Sequence, residues 1–137
     1  MAQGGTRQSL SSRAQILTPA QLDEIAEIAY AHEPDWDEVY ETGWHDWCGQ
    51  TSRAVCAYLE SEGIEAQVVD GGFCGNAHAW VELSDGTIVD PTIRQYIDRT
   101  DEHTVDEEAV PWAQVADGEC LIAVIPPDHP FGRNYVK

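Results

Sequence analysis

The sequence has few basic residues. Seven lysines and arginines stand against 25 aspartates and glutamates, which gives a formal net charge of -18 at pH 7. A chain so negative repels phosphate backbones and anionic lipid, so we expect neither nucleic acid nor a membrane surface as a partner. A basic peptide is a compatible partner. Net charge alone does not identify one, because solubility or a salt-rich habitat explains an acidic surface more simply.

Long apolar segments are also absent. No stretch approaches the roughly 20 apolar residues that a membrane helix needs, and the N-terminal residues contain no hydrophobic signal region. Four cysteines in 137 residues are too few to indicate a disulfide scaffold. We therefore expect a cytoplasmic protein whose thiols are reduced.

The chain has the size of one domain. Its 137 residues, of which 42% are hydrophobic, can bury a single substantial core. Residues 1–15 are mostly glycine, serine, glutamine and arginine. Burying the small apolar surface of this segment would not offset the entropy lost on ordering its backbone. The segment is therefore predicted to be a disordered tail. Residues 16–137 are predicted to form a single domain.

The first helix has a clear start signal. Thr18, Pro19 and Gln21 have the order of an N-cap, a first-turn proline and a capping-box glutamine. With the apolar spacing that follows, they predict a helix over about 19–31. The acidic and aromatic stretch from 35 to 46 is predicted to be a loop.

A second helix is predicted over residues 47–62, and Gly63 ends it. One face carries residues at helical spacing: Cys48, Ser52, Val55 and Leu59. With Asp46 as the N-cap, Cys48 lies in the first turn. Free backbone N–H groups and the positive end of the helix dipole favour a thiolate there.

The rest of the chain predicts antiparallel strands. Four segments have strand composition: 64–70, 77–83, 87–90 and 120–125. The last is fully apolar and is expected to be central. The glycine-rich stretch 71–76 is predicted to be a loop, and residues 98–118 an irregular connection. Helices followed by strands indicate an α+β fold, in which N-terminal helices pack on an antiparallel sheet of about four strands.

The turn between two of these strands decides whether His78 and Asp90 can meet. Successive side chains of a strand point to opposite faces of the sheet, so the side chains of His78 and Ala79 are on different faces. A two-residue turn would place Asp90 on the wrong face. A three-residue turn at 84–86, with its glycine in the left-handed conformation, instead pairs Asp90 with Trp80 and places it on the face of His78. We therefore predict the three-residue turn.

Cys48, His78 and Asp90 are the side-chain types that a thiol enzyme requires. A cysteine nucleophile needs a nearby base, and that base needs a group to fix its tautomer. Four segments follow one another within about residues 44–96: Cys48-Gly49-Gln50, the stretch Gly63 to Val69, His78-Ala79-Trp80-Val81-Glu82 and Asp90-Pro91-Thr92. In this order they resemble the transglutaminase-like superfamily of papain-like fold.

The resemblance implies a cysteine peptidase or amidase. Cys48 would be the nucleophile, His78 the general base and acid, and Asp90 the residue that orients the imidazole. The reaction would be acyl transfer from an amide through a thioester, most simply hydrolysis of a peptide or side-chain amide, and it needs no cofactor. The partner would then be a peptide or protein substrate, and residues 16–137 would be one catalytic domain.

The oxyanion hole departs from the family pattern. No glutamine precedes the cysteine, since Gln50 follows it, so the backbone N–H of Cys48 is the only donor predicted. Four residues are candidates for substrate contact: Trp44, Trp47, Asn76 and Trp80. The other thiols are interpreted as structural: Cys56, Cys74 and Cys120.

Two alternative functions do not involve a cysteine nucleophile. Two nitrogens and two sulfurs are enough for a tetrahedral structural zinc site, and the ligands would be His45, Cys48, Cys74 and His78. A zinc site leaves the segment from Asp90 to Thr92 unexplained. The other alternative is a non-catalytic, acidic binding or inhibitor protein on the same fold.

Overall fold

The computed structural model describes residues 17–43, 46–96, 112–114 and 121–137, with the backbone alone at 112–114 and 121. It is an α+β fold in which three helices pack against an antiparallel sheet. The helices are α1 (Pro19–Ala31), α2 (Trp36–Thr42) and α3 (Trp47–Ser61). The strands are β1 (Ala66–Phe73), β2 (Asn76–Leu83), β3 (Ile88–Asp90), β4 (Trp112–Gln114), β5 (Leu121–Ile125) and β6 (Tyr135–Val136). The predicted tail, 1–15, lies outside the described residues.

Helix α1 confirms the prediction. The side chain of Thr18 accepts a hydrogen bond from the Gln21 backbone, and the Gln21 side chain accepts one from the Thr18 backbone, at 3.1 and 2.9 Å. This capping box satisfies two of the N–H groups that a helix start leaves without partners.

Helix α2 shows that the predicted loop at 35–46 was wrong. The Asp35 side chain accepts a hydrogen bond from Asp37 N, and Asp37 and Glu38 lie in the first turn, where the helix dipole favours negative charge. Gly43 ends the helix in the left-handed conformation, with φ of 75°. Helix α2 has no buried residue, so the sequence signals it by its capping residues and not by an apolar face. A prediction based on apolar spacing therefore did not find this helix.

Helix α3 has the predicted bounds within one residue, and Gly63 follows it with φ of 82°. Cys48 lies in its first turn, as predicted. Asp46 stands at the N-cap position, but its side chain makes no capping hydrogen bond. Its carboxylate pairs with Arg53 instead, at 3.3 Å.

The sheet is larger than predicted. Its order is β4-β5-β3-β2-β1-β6 with every pairing antiparallel, which is five strands extended at one edge by the two-residue β6. Strand β5 lies between β4 and β3, so it is an interior strand, as its apolar run predicts. Strand β4 falls within the predicted irregular connection 98–118. An edge strand needs one partner only, so a short segment of low apolar content suffices.

The glycine-rich stretch 71–76 is not a loop. Strand β1 runs through Gly71 to Phe73, and the chain reverses at Cys74 and Gly75, whose φ angles are 51° and 87°, so that Phe73 pairs with Asn76. Two left-handed residues make the tight hairpin turn that matches strand twist.

The hairpin between β2 and β3 confirms the predicted three-residue turn. Leu83 N donates to Thr87 O at 2.8 Å, and Gly86 has φ of 95°. Val81 pairs with Val89, so Asp90 falls opposite Trp80. His78 and Asp90 therefore share a face.

The two faces of the sheet bury different cores. The helix face is aliphatic and includes Ile25, Val55, Leu59, Val81 and Val89. The opposite face is largely aromatic and includes Phe73, Trp80, Tyr96, Phe131 and Tyr135. None of the described helices is long and apolar enough to cross a membrane.

Candidate active site

A buried acid–base pair joins β2 to β3. Nε2 of His78 lies 2.8 Å from Oδ2 of Asp90, and both side chains are completely inaccessible to solvent. The carboxylate fixes the ring orientation and keeps a proton on Nε2. Nδ1 is therefore the nitrogen available to take or give a proton.

Cys48 completes the convergence from a third element. Its position in the first turn of α3 brings the thiol near enough to His78 to contribute to the raised pKa of the imidazole. The residue is partly exposed and its thiol is not in a disulfide. A group that is open to solvent on one side and to an imidazole on the other suits attack on an incoming carbonyl.

The electrostatics of the pair favour a protonated imidazole. Burial lowers the pKa of His78, but the charge and hydrogen bond of Asp90, with additions from Cys48, outweigh burial and raise that pKa from 6.5 to about 9. Near neutral pH His78 is therefore an imidazolium, next to Asp90 and Cys48.

Asp90 has three hydrogen-bond donors. Oδ2 accepts from His78 and also from the Tyr135 hydroxyl at 2.7 Å, while Oδ1 accepts from Thr92 N at 3.2 Å. A completely buried carboxylate needs such donors, because burying an unpaired charge is costly. The proline and threonine that follow Asp90 thus turn the chain so that its backbone supports the acid.

Two tyrosines contact the pair, and sequence reasoning missed both. The Tyr96 hydroxyl lies 3.3 Å from Nδ1 of His78, with the two rings edge to face at 5.1 Å. Tyr135 comes from the short strand β6, 45 residues after Asp90. Tyr96 lies six residues after Asp90 in the single-turn helix Ile93–Tyr96, and proximity in sequence was its only signal. Tyr135 had none.

Aromatic rings enclose His78. The ring centroids of Phe73, Trp80, Tyr96 and Tyr135 lie between 5.1 and 6.3 Å from that of His78. Such a wall excludes water from the imidazole and its carboxylate, and a low local dielectric strengthens their interaction.

Three of the predicted substrate-contact residues have structural roles. Trp80 is completely buried in the aromatic core. Trp47 is also buried, and its indole N–H donates to Ala29 O at 2.9 Å. The Asn76 side chain donates to Cys74 O at 3.4 Å and so closes the hairpin turn. The fourth candidate, Trp44, lies outside the described residues.

The backbone N–H of Cys48 remains the predicted oxyanion donor. First-turn N–H groups have no acceptor within their own helix, so they are available to a ligand. Gln50 is exposed on α3, after the cysteine.

The zinc alternative does not assemble within the described residues. No three histidine, cysteine or carboxylate side chains there lie close enough together to hold a metal ion, although Cys48, Cys74 and His78 all belong to that part of the chain. His45 falls outside it. Cys74 lies in an exposed hairpin turn, whereas Nε2 of His78 is hydrogen-bonded to Asp90.

The other cysteines differ from Cys48. Cys56 is buried, and burial followed by the charge of Glu60 raises the pKa of its thiol. Partial burial likewise raises the pKa of the Cys74 thiol. Neither has a base against it among the described residues, and Cys120 lies outside them.

Comparisons with protein-family models, curated proteins and solved structures found no match for this chain.

Proposed function

We propose that this protein is a transglutaminase-like cysteine enzyme that transfers acyl groups from amides, with water as the simplest acceptor. One observation carries the proposal: a buried His78–Asp90 pair at 2.8 Å lies beside Cys48 in the first turn of a helix. Nucleophile, base and orienting acid come from three elements, so the sheet and the helix must both form before they meet.

The chemistry follows from the positions of the groups. The Cys48 thiolate attacks the amide carbonyl carbon beside the imidazolium of His78, and the negative charge on the carbonyl oxygen is stabilised by the Cys48 N–H. The C–N bond then breaks, and His78 gives its proton to the leaving amine. Water attacks the resulting thioester while the neutral imidazole of His78 accepts its proton. The C–S bond then breaks, so that the acid product leaves and the thiolate and imidazolium are restored.

A peptide with basic residues is the substrate class that charge favours. A cavity of about 360 Å³ lies beside the start of α3, where Trp47 and Gln50 line it; Cys48 itself does not. Three carboxylate residues are among those lining it: Asp35, Glu38 and Asp46. Together with the net charge of -18, this lining would attract a cationic segment and repel an acidic one.

The proposal is tested by cysteine labelling. Cys74 is an exposed cysteine of the same chain, so it serves as an internal control. We expect iodoacetamide near pH 6 to label Cys48 at least about tenfold faster than Cys74, because burial raises the pKa of the Cys74 thiol and leaves it little thiolate at that pH. The rate at Cys48 should fall by a similar factor in His78→Gln, while the rate at Cys74 stays the same. Equal slow labelling of both cysteines would overturn the proposal.

Acyl transfer itself needs a second measurement. A p-nitrophenyl ester should acylate Cys48, which mass spectrometry of the intact protein detects, and Cys48→Ala should remain unmodified. A reactive Cys48 that forms no acyl-enzyme with ester, peptide or glutamine probes would instead favour a binding protein on the same fold.

A further inference from the structure

We infer that Tyr135 is a positioning residue of the proposed active site, because its hydroxyl shares one oxygen of Asp90 with the imidazole of His78. The inference rests on the proposed function for its consequence in catalysis. The hydrogen bonds on which it rests are present whether or not the protein catalyses a reaction. Oδ2 of Asp90 lies 2.7 Å from the Tyr135 hydroxyl and 2.8 Å from Nε2 of His78.

The shared oxygen has two consequences. First, it limits rotation of the carboxylate, since Thr92 N holds Oδ1 at 3.2 Å while two donors hold Oδ2. Second, it divides the negative charge of Oδ2 between two donors, so His78 receives only part of it. Hydrogen bonds to a charged acceptor are the stronger kind, and both effects act in a site without solvent.

The fold brings Tyr135 to this position through the edge of the sheet. Tyr135 pairs with Phe73 on β1, and Cys74 N donates to Asn134 O at 3.2 Å. A side chain at Gly71 would collide with the carbonyl oxygen of Val136, so glycine is what lets β6 approach. Ring packing against Phe73 and Trp80, at 4.8 and 4.9 Å between centroids, fixes the phenol plane.

Tyr135 is a neutral donor throughout the working range of pH. Burial, followed by the charge of Asp90, raises the pKa of Tyr135 well above 10. The titratable groups that face this cluster come from the elements packed around it: Cys48 on α3, Cys74 in the β1–β2 turn, His78 on β2, Asp90 on β3 and Tyr96 in its single-turn helix.

The positioning role predicts that Tyr135→Phe changes the pKa of His78, an effect that loss of packing alone would not produce. Phenylalanine keeps the ring but removes the second donor, so the full charge of Oδ2 faces Nε2 and the pKa of His78 should rise by about 0.5 to 1 pH unit. A more basic imidazole gives up its proton less readily. Cleavage of an amide, whose amine must be protonated, should therefore slow by at least about threefold more than cleavage of an activated ester.

The experiment follows the imidazole of His78 by NMR across a pH titration, in wild type, Tyr135→Phe and the control Tyr40→Phe. Tyr40 is 92% exposed on α2, so losing its hydroxyl should leave His78 unchanged. Thermal unfolding checks that all three proteins are folded. The amide and p-nitrophenyl ester rates are measured on the same samples.

Each outcome separates the inference from the proposed function. A rise in the titration midpoint of His78 in Tyr135→Phe supports the positioning role, even if no amide or ester is cleaved; in that case only the proposed function fails. An unchanged or lowered midpoint in a folded Tyr135→Phe overturns the positioning role, even if wild type is an active enzyme. An amide-to-ester ratio that stays constant in an active variant overturns it as well.

Discussion

Replacing Asp90 with asparagine should remove the charge that keeps His78 protonated. The pKa of His78 is about 9 against an ordinary value of 6.5, a difference of about 3 kcal/mol at about 1.4 kcal/mol per pH unit. Both side chains are completely inaccessible to solvent, so little of this energy is lost to screening. Burial opposes protonation, so the interactions with Asp90 and, to a smaller extent, Cys48 together exceed that difference. We expect the pKa of His78 in Asp90→Asn to fall below 6.5.

NMR of the histidine Cε1–H signals measures this directly. The chain has five histidines, and the spectrum of His78→Gln identifies the signal of His78 by its absence. Asparagine has nearly the same shape as aspartate and can still accept from Tyr135, so the fold should survive. Asp70→Asn is the matched control, because Asp70 is exposed on β1. If His78 in Asp90→Asn still titrates above about pH 8, its proton is not held by the carboxylate and the electrostatic reasoning is refuted.

Three further outcomes test other parts of the structure. Amide cleavage should fall as pH rises through about 9, because His78 then lacks the proton that the leaving amine needs; a kcat/KM profile checks this, and an activated ester should show no such fall. Gly71→Ala should destabilise the protein by about 1–3 kcal/mol in urea unfolding, whereas Gly72→Ala, where a side chain has room, should cost at least about 1 kcal/mol less. Thr18→Ala should cost about 1 kcal/mol through loss of the capping box; if its urea midpoint equals that of wild type, the box does not stabilise α1.

Local signals predicted the elements that local forces determine. The capping box and apolar spacing predicted α1, and the single turn at 84–86 predicted the register that places Asp90 beside His78. Both depend on residues that are near in sequence. Helix α2 had such signals in Asp35 and Gly43, yet it lacks the apolar face on which the prediction relied.

Distant pairings explain what could not be predicted. Strand β6 forms only because β1 offers a free edge, and Gly71 looks like a loop residue until a neighbouring backbone is known to lie against it. The same holds for Tyr135, since nothing near position 135 refers to Asp90. The buried positions of Trp47 and Trp80 likewise follow from tertiary packing, which composition does not reveal.

The hairpin that carries His78 and Asp90 also bears on the order of folding. The two residues are 12 apart, whereas Asp90 and Tyr135 are 45 apart. Closing the longer loop costs more chain entropy and delays its contacts. The acid–base pair should therefore assemble with an early β-hairpin, and the tyrosine should join it late. On this order of events, the pair is still open to water when it first forms, on the side that Tyr135 later covers.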